Sequence, residues 1–378
     1  MLEGGPVEIV EATSPRDLDE FIRLPGRLAA GDPAWVEPLH FERRQFLDPR
    51  RNPMFEHARV RLWLVRRDGR AVGRISAQMD RLAPPVEGRR AGFFGLLDAR
   101  DDAALAALFD TAEGWLRAEG AELARGPFSL SVNQVSGLLV DGFAEPPSVM
   151  MDHHDPWLGP AVERRGYAKA RDLLAYRVDA ERRMPEPMRR AAERASRSVR
   201  IRPLNPRRFA EEIRLVTDIF NDAWSGNWGF VPLTDAEIAA MARELRPILP
   251  PEFVQIAELD GRAAGFIVLL PNVNEAAAHL RGRLLPFGWA KLLWRLKVAG
   301  VRTARVPLMG VRRDAARTPA GKVLPIRLIH ALDAPVRRRR LREIELSWLL
   351  EDNLPMRRLA EALGARVAKT YRIYEKPL

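Results

Sequence analysis

The chain contains no cysteine in its 378 residues. This absence excludes disulfide bonds, a catalytic thiolate and any metal site built on cysteine sulfur, and it suits a reducing compartment. No run approaches the roughly 18 consecutive apolar residues of a membrane-spanning helix. The opening residues, MLEGGPVEIVEA, have no basic segment followed by an apolar one, so we expect no signal peptide. We therefore expect a cytoplasmic protein that is soluble or peripheral on the inner membrane surface.

The sequence also lacks the short motifs of several common catalytic sites. It has no G-x-S-x-G, H-E-x-x-H or G-x-G-x-x-G, and PAGKV lacks the first glycine of a phosphate-binding P-loop and the Ser or Thr after Lys322. The stretch DHHD at 152–155 gathers potential metal ligands, but consecutive residues cannot all face one ion without a special loop. We expect a polar surface turn there and no metal.

The chain has fewer acidic residues than Lys and Arg residues, which gives it a net charge of +11 and a pI near 10.6. Such a balance attracts polyanions in general: nucleic acid, phosphorylated cofactors or an anionic membrane. No helix-turn-helix, zinc-finger or aromatic RNA-binding motif accompanies the charge. We therefore do not expect nucleic acid as a partner.

Nearly the same nine residues occur twice, as RDGRAVGRI at 67–75 and LDGRAAGFI at 259–267. Asp-Gly between two apolar runs predicts a β-hairpin, because glycine tolerates positive φ where the chain reverses. Each copy is followed by a helix that ends at a glycine and by a strand rich in tyrosine. The turns lie 192 residues apart (68 to 260) and the helix-ending glycines 198 apart (166 to 364). Two landmarks that recur in the same order, after nearly the same number of residues, indicate an internal duplication.

The duplication divides the chain into two predicted domains, 1–180 and 198–378, joined by a basic linker at 181–197. The second half reads β-α-α-β-β-insertion-β-α-β-α-β, an order that predicts an α/β protein with a mixed sheet and helices on both faces. Ser14 and Thr234 are placed to cap helices. Gly120, Gly166 and Gly364 are placed to end them.

This element order resembles the GNAT fold of acyl-CoA N-acyltransferases, which implies two GNAT-like domains. The resemblance rests on VPLMGVRRDAARTPAGKVLPIRLI, similar to the family's strand, pyrophosphate loop and helix, and on LSWLLEDNLPMRRLAEALGA, similar to its next strand and Asn-initiated helix. It covers 198–378 well and 6–180 more loosely. Since the first half has only DAR where a glycine-rich loop would stand, we expect the second copy alone to bind CoA. The tandem arrangement also looks like that of bacterial ceramide synthase-type proteins, which acylate a long-chain amino alcohol.

The resemblance implies an acyl-CoA cosubstrate bound by the strand, the loop and the Asn-initiated helix. A loop that opens a helix offers unpaired N–H groups to a pyrophosphate. The implied residues are Met309, Gly310, Val311, Arg312, Arg313, Arg317, Thr318, Ala320, Gly321, Lys322 and Asn353. The family loop differs here, with Ala316 and Pro319 at positions usually held by Arg or Gln and by Gly. Ala360 stands where the family often has the tyrosine that protonates the departing thiolate.

The attacking amine needs a base, and a carboxylate in an apolar strand is costly unless it is paired or used. Within EIELSWLL, Glu345 is the first candidate, with structural pairing to an arginine as the alternative; Ser347 shares its face. Glu351 and Asp352 are weaker candidates. The segment FNDAWSGNWGF resembles the part of the family that lines the acceptor pocket, although core packing explains its aromatics as well. Its candidate substrate-binding residues, together with Ser347, are Asn221, Trp224, Asn227, Trp228 and Phe230.

The insertion RGRLLPFGWAKLLWRLKVAG (281–300) has apolar residues at helical spacing from Leu285, interleaved with Lys291, Arg295 and Lys297. Basic helices rich in Trp and Leu often lie in a membrane interface, and a helix covering the core is the alternative. We expect an acyl-CoA-dependent N-acyltransferase that acts on an amine, with a long-chain, sphingoid-like amino alcohol as the candidate acceptor. The alternatives are an acetyltransferase for a small soluble amine and a non-catalytic GNAT-fold binding protein.

Overall fold

The structure, a computed structural model, describes residues 5–194 and 199–378. The described chain divides into two compact units. The first unit contains the residues up to Leu173 together with Ala277–Trp289 and Lys369–Leu378, and the second contains Leu174–Ala276 and Ala290–Ala368. The domain bounds inferred from the sequence stay a prediction, and residues 195–197 of the predicted linker lie outside the described residues.

The first copy of the repeat ends in a long strand after its fourth helix. Its elements in chain order are β1 (Val7–Glu11), α1 (Pro15–Leu28), α2 (His40–Phe46), β2 (Ala58–Arg67), β3 (Arg70–Asp80), β4 (Ala91–Ala99), α3 (Asp102–Ala118), β5 (Leu123–Gly126), β6 (Leu138–Asp141), α4 (Leu158–Arg164) and β7 (Ala168–Asp179).

The second copy repeats this order after a helix in the linker and carries additional short helices. Its elements are α5 (Glu186–Arg194), β8 (Val199–Pro203), α6 (Phe209–Trp224), α7 (Asp235–Leu245), β9 (Val254–Leu259), β10 (Arg262–Pro271), α8 (Val273–Ala277), α9 (Gly288–Trp294), β11 (Thr303–Val311), α10 (Arg313–Ala316), α11 (Pro319–Lys322), α12 (Leu324–Arg338), β12 (Glu343–Leu350), α13 (Leu354–Ala362) and β13 (Arg366–Pro377).

Each unit is built on a mixed sheet, as predicted. In the first unit the strand order is β1-β2-β3-β4-β5-β13, with β6 also beside β13. In the second unit it is β7-β12-β11-β10-β9-β8. The final strand of the chain thus completes the first unit, where Tyr374 pairs with Gly126, and the end of β7 belongs to the second unit.

The two predicted hairpins are confirmed, and they match in detail. Asp68 and Gly69 have φ of 50° and 73°, and Asp260 and Gly261 have φ of 51° and 78°. Two consecutive positive φ values are those of a type I′ turn, whose twist suits a hairpin. Both hairpins also have a register shift just after the turn. The shift falls between Ala71 and Gly73 in the first copy and between Ala263 and Gly265 in the second. The shared irregularity supports the internal duplication.

The predicted helix caps are confirmed as well. The side-chain oxygen of Ser14 accepts a hydrogen bond from the Asp17 N–H at 3.1 Å. Thr234 forms a full capping box with Glu237, in which each side chain accepts from the other residue's backbone N–H. The helices α3, α4 and α13 end before Gly120, Gly166 and Gly364, as expected.

The first unit has an apolar core on each face of its sheet, because side chains at successive strand positions point to opposite faces. Trp63 and Val65 pack with Leu108 of α3 on one face, while Leu64 packs with Phe21 of α1 on the other. In the second unit, a Cβ at Gly265 would meet Leu328 of α12 at 3.5 Å, and one at Gly310 would meet Ala223 of α6 at 3.2 Å. Helices therefore cover both faces of each sheet.

Two segments differ from the expectations. The linker contains the helix α5, whose exposed face is held by ion pairs of Glu186 with Arg189 and Arg190 rather than by apolar contacts. The insertion helix begins at Gly288, three residues after Leu285, and continues as a π-helical turn over Arg295–Ala299. Pro286 explains the later start, because the residue before a proline is biased away from helical geometry.

Candidate active site

The strands β11 and β12 pair only at their beginnings. Their parallel register runs from Thr303 opposite Glu343 to Val306 opposite Leu346. Both strands continue beyond this point, to Val311 and Leu350, without further pairing to each other. Past Val306 and Leu346 the two strands therefore separate, and we call the gap between them, which opens toward their carboxyl ends, the cleft. Backbone groups of β11 that do not point to its partner β10 face this gap. Ligands of parallel α/β sheets usually bind at the carboxyl ends of the strands.

The segment after β11 folds into two single helical turns, α10 and α11, before α12 begins. The Thr318 side chain caps α11, because its Oγ1 accepts from the Gly321 N–H at 2.9 Å and donates to the Ala315 carbonyl at 2.8 Å. A Cβ at Gly321 would lie 1.8 Å from that carbonyl oxygen. A glycine is therefore required at 321 for this loop to close.

The four predicted phosphate ligands fall into two groups. Arg312 pairs with Asp218, and its Nε donates to the Ala263 carbonyl at 3.0 Å. Arg313 lies 4.0 Å from Asp222, and its backbone N–H donates to that carboxylate at 2.8 Å. In contrast, Arg317 and Lys322 are exposed and form no ion pair with any residue that the structure describes.

The segment at the end of α6, which contains the predicted acceptor residues, lies against β11. The Trp224 indole N–H points at the Met309 carbonyl at 3.4 Å, and Phe220 packs between Trp224 and Phe230 with ring centroids 5.0 and 5.8 Å away. The Asn227 N–H donates to the Trp224 carbonyl, and the Asn227 carbonyl accepts from the Phe230 N–H. These two bonds close the turn that follows the helix. Trp228 lies in that turn and is half-buried.

Asn221 lies one helical turn before Trp224. Its buried side-chain oxygen has no hydrogen-bond partner among the described residues. A buried amide oxygen without a donor is costly in a protein interior, which favours a ligand donor at this position.

Glu345 lies in a buried polar network next to the closed end of the cleft. Its carboxylate accepts a 2.8 Å hydrogen bond from the Ser347 hydroxyl and lies 3.9 Å from Arg177. Arg305, directly opposite on β11, donates from Nε to the same hydroxyl oxygen at 2.8 Å. Sequence reasoning anticipated an arginine partner but did not find Arg305 or Arg177; the register that brings them to Glu345 is long-range.

The residues after β12 form the start of α13. The Asn353 side chain caps this helix by accepting from the Met356 N–H at 3.3 Å. The carbonyl of Glu351 accepts from Arg357, whose Nε lies 3.1 Å from the Tyr176 hydroxyl. Asp352 is exposed.

Tyr176 packs in one apolar cluster with Ala360. Ala360 holds the position at which the family often has a tyrosine. The Tyr176 hydroxyl donates to Glu361 at 2.8 Å, and burial raises its pKa.

The first unit has the same separation of strands but fills it with its own chain. There β4 and β5 pair from Ala91–Leu123 to Phe93–Arg125. Phe128 then bonds to the Phe94 carbonyl at 2.7 Å, and its own carbonyl would lie 1.7 Å from a Cβ at Gly95. In the first unit the chain itself therefore occupies the space between the two strands, and the binding of a cosubstrate by the second copy alone stays a prediction.

The DHHD stretch is not the surface turn that we expected. His153 and His154 are both buried, at 5% and 7% exposure. The His153 ring bonds to Asp32 at 2.8 Å, and His154 accepts the Leu139 N–H at 3.1 Å through Nδ1. The expectation was wrong because these contacts come from residues distant in sequence, which local polarity does not reveal.

Comparison with known proteins decides the family. No family model matches the chain. A curated relative named bacterial ceramide synthase, from Caulobacter vibrioides, is 48% identical over 375 residues, with 98% of each chain covered. The chain belongs to the bacterial ceramide synthase family. A second relative, protein YghO of Escherichia coli, is 46% identical over 364 residues, covering 96% of this chain and 93% of its own.

The fold of this ceramide synthase family member also matches solved structures. A tandem GNAT protein from the clavulanic acid biosynthesis pathway superposes with a TM-score of 0.58 at 14% identity, with 98% of each chain covered. The resemblance to the tandem GNAT fold is thereby confirmed, and the protein is an acyltransferase.

Proposed function

We propose that this protein transfers a long-chain acyl group from acyl-CoA to the amine of a sphingoid-like amino alcohol at a membrane surface. The observation that carries the proposal is the separation of β11 from β12 beyond Val306 and Leu346. It leaves backbone donors available to an extended arm, with the cofactor loop at its open end. The name of the 48% identical relative, bacterial ceramide synthase, supports the amino alcohol as the acceptor.

In the proposed complex, the phosphates of CoA lie at the loop and the thioester lies in the cleft. Arg317 and Lys322 supply the charge, since their cations have no carboxylate partner among the described residues. Met309 and Val311 act through backbone N–H groups along the arm, and Ala320 does so at the loop. Gly310 lies opposite Phe266 on the β10 side of the ladder and Gly321 bonds to Thr318, so these two glycines act by letting the backbone approach the ligand closely. The proton of the attacking amine passes through Ser347 to Glu345, which are joined by a 2.8 Å hydrogen bond.

The double variant Arg317→Ala/Lys322→Ala tests this assignment of charge. We expect its Kd for CoA to rise by about 10- to 100-fold, because two charge-assisted contacts to phosphate are lost. Calorimetric titration with CoA measures the change. Arg243→Ala, which removes another exposed arginine on α7, is the control. Equal CoA affinity of the double variant and the control would contradict the proposal.

The acceptor class is tested by turnover with two substrate pairs. We expect amide formation from palmitoyl-CoA and sphinganine, and little from acetyl-CoA with a short soluble amine. The opposite preference would favour a small-amine acetyltransferase. Thermal stabilisation by neither thioester would favour a non-catalytic binding protein.

The membrane part of the proposal rests on the insertion segment. Its side chains Leu285, Phe287 and Val298 are 80%, 72% and 70% exposed, and Trp289, Leu293 and Trp294 are also exposed. No acidic residue occurs between 276 and 300, whereas this stretch contains five Lys and Arg residues. Exposed apolar residues among cations alone are typical of a segment that lies on an anionic bilayer. No helix among the described residues is both long and apolar enough to cross one.

The triple variant Leu285→Ser/Phe287→Ser/Trp294→Ser tests the membrane contact. We expect its partitioning onto vesicles of phosphatidylcholine and phosphatidylglycerol to fall at least about tenfold, because each buried apolar side chain contributes 1.5–3 kcal/mol. Flotation through a density gradient measures it. Leu82→Ser, at an exposed leucine outside the insertion, should float like the wild type. Unchanged flotation of the triple variant would exclude the insertion as the contact.

A further inference from the structure

Trp348 has a buried hydrogen-bond donor that no described residue satisfies. Its indole Nε1 is inaccessible to solvent and has no acceptor among the described residues. Buried donors in native proteins are nearly always paired, so an orphan N–H indicates a missing partner. The indole N–H is a donor only, and its partner must therefore be an acceptor atom.

Trp348 lies at the closed end of the cleft, where β11 and β12 stop pairing. It is the second residue after Leu346, the last residue of β12 that pairs with β11. The ring is stacked on the guanidinium of Arg305, 4.7 Å from its centroid, and Arg305 belongs to β11 and is 1% exposed. The stack therefore joins the two strands where they begin to separate.

Arg305 fixes the ring and strengthens its donor. The guanidinium is itself held by hydrogen bonds to the hydroxyl and the carbonyl of Ser347, at 2.8 and 3.2 Å. A cation on the face of an indole is attracted by the π electrons. By withdrawing electron density from the ring it makes the N–H a better donor. A donor held in place before the reaction costs no reorganisation when charge develops on its acceptor.

The direction of the cosubstrate identifies the acceptor atom. If the phosphates lie at Arg317 and Lys322, beyond the carboxyl end of β11, the arm runs from there toward Val306. The pantetheine arm carries the thioester at the end away from the phosphates, so the thioester is the group that the arm brings to the closed end, and the acyl chain continues beyond it. We infer that the Trp348 N–H donates to the thioester carbonyl oxygen, an inference that rests on the proposed binding of acyl-CoA.

In this role Trp348 stabilises the tetrahedral intermediate. The amine nitrogen forms a bond to the carbonyl carbon, and the carbonyl electron pair moves onto the oxygen that Trp348 contacts. When the carbonyl re-forms, the C–S bond breaks and its electron pair leaves with the CoA sulfur. One proton leaves the amine and one is taken up by the thiolate, so that the amide and the CoA thiol are produced in balance.

The variant Trp348→Phe removes the donor and keeps an aromatic ring over Arg305. We expect kcat with palmitoyl-CoA and sphinganine to fall about 100-fold, as for loss of one oxyanion donor, with KM for palmitoyl-CoA within about threefold. In the infrared spectrum of a bound ketone analogue, in which CH2 replaces sulfur, the carbonyl band should move to higher frequency in the variant. Trp157→Phe, in the first unit, should change neither.

A second replacement keeps the test valid if the phenylalanine variant misfolds. β-(3-Benzothienyl)alanine at position 348 keeps the size of the ring and replaces only the N–H by sulfur, and we expect the same loss of kcat. Calorimetry of the wild type with CoA separates the two hypotheses. If the wild type does not bind CoA, the proposed function fails. If it binds and turns over, and both replacements retain the wild-type kcat and carbonyl band, the role of Trp348 is overturned.

Discussion

Gly321→Ala is expected to raise the Kd for acyl-CoA at least about 100-fold. The new Cβ would lie 1.8 Å from the Ala315 carbonyl oxygen, far inside contact distance. That carbonyl accepts hydrogen bonds from both the hydroxyl and the N–H of Thr318, at 2.8 and 2.9 Å. The added methyl group must therefore break the turn that presents the loop N–H groups. Several phosphate contacts are then lost together, each worth about 1.5–3 kcal/mol.

Calorimetric titration with CoA measures this loss, and thermal unfolding shows whether the second unit remains folded. Gly114→Ala is a matched control, because a Cβ at Gly114 in α3 has no atom within 4 Å. That variant should gain about 0.5–1 kcal/mol of stability from its higher helix propensity. Retention of wild-type CoA affinity by a folded Gly321→Ala protein would remove the loop from the binding site.

Glu345→Gln is expected to lower kcat by 10²- to 10⁴-fold while acyl-CoA still binds. The amide has nearly the same shape as the carboxylate and can still accept the Ser347 hydrogen bond, but it cannot take a proton from the amine. The range is that of a lost general base. Removal of one charge from the buried contact with Arg177 also destabilises the fold, because breaking a buried ion pair costs about 3–5 kcal/mol.

Activity and stability must therefore be measured on the same samples. Single-turnover rates and CoA titration report on the chemistry, and thermal unfolding reports on the fold. Glu343→Gln is the control, because Glu343 lies two residues earlier on β12 and also pairs with Arg177, at 3.4 Å, without bonding to Ser347. If both variants lose stability and neither loses turnover, Glu345 is a structural partner of arginine and the base lies elsewhere.

Features that depend on neighbouring residues could be predicted from the sequence. An Asp-Gly pair between apolar runs fixes a hairpin, and Ser14 or Thr234 before an amphipathic run fixes a helix start, because the groups involved are within four residues of each other. The cofactor loop and the strand before it followed from the resemblance to a known family. Gly321 was included on the same basis, and its contact with Ala315 gives the physical reason.

Features that depend on distant contacts could not be predicted. His153 is buried through Asp32, which is 121 residues away. Arg312 and Arg313 were expected at the phosphates, but Asp218 and Asp222 of α6 draw both toward that helix. The sequence also does not show that Arg305 stacks on Trp348, which is 43 residues away.

Because each copy of the repeat contributes its last strand to the other unit, neither unit is complete without the other copy. The sheet of the first unit is completed by residues 369–377 of the second copy, which are synthesised long after β5. During synthesis β5 can pair with β4, but its other edge has no partner until β13 of the second copy has emerged. Cutting the gene between its two repeats would yield two fragments that each lack a strand, and this mutual dependence gives selection a reason to keep a copy whose own cleft is closed.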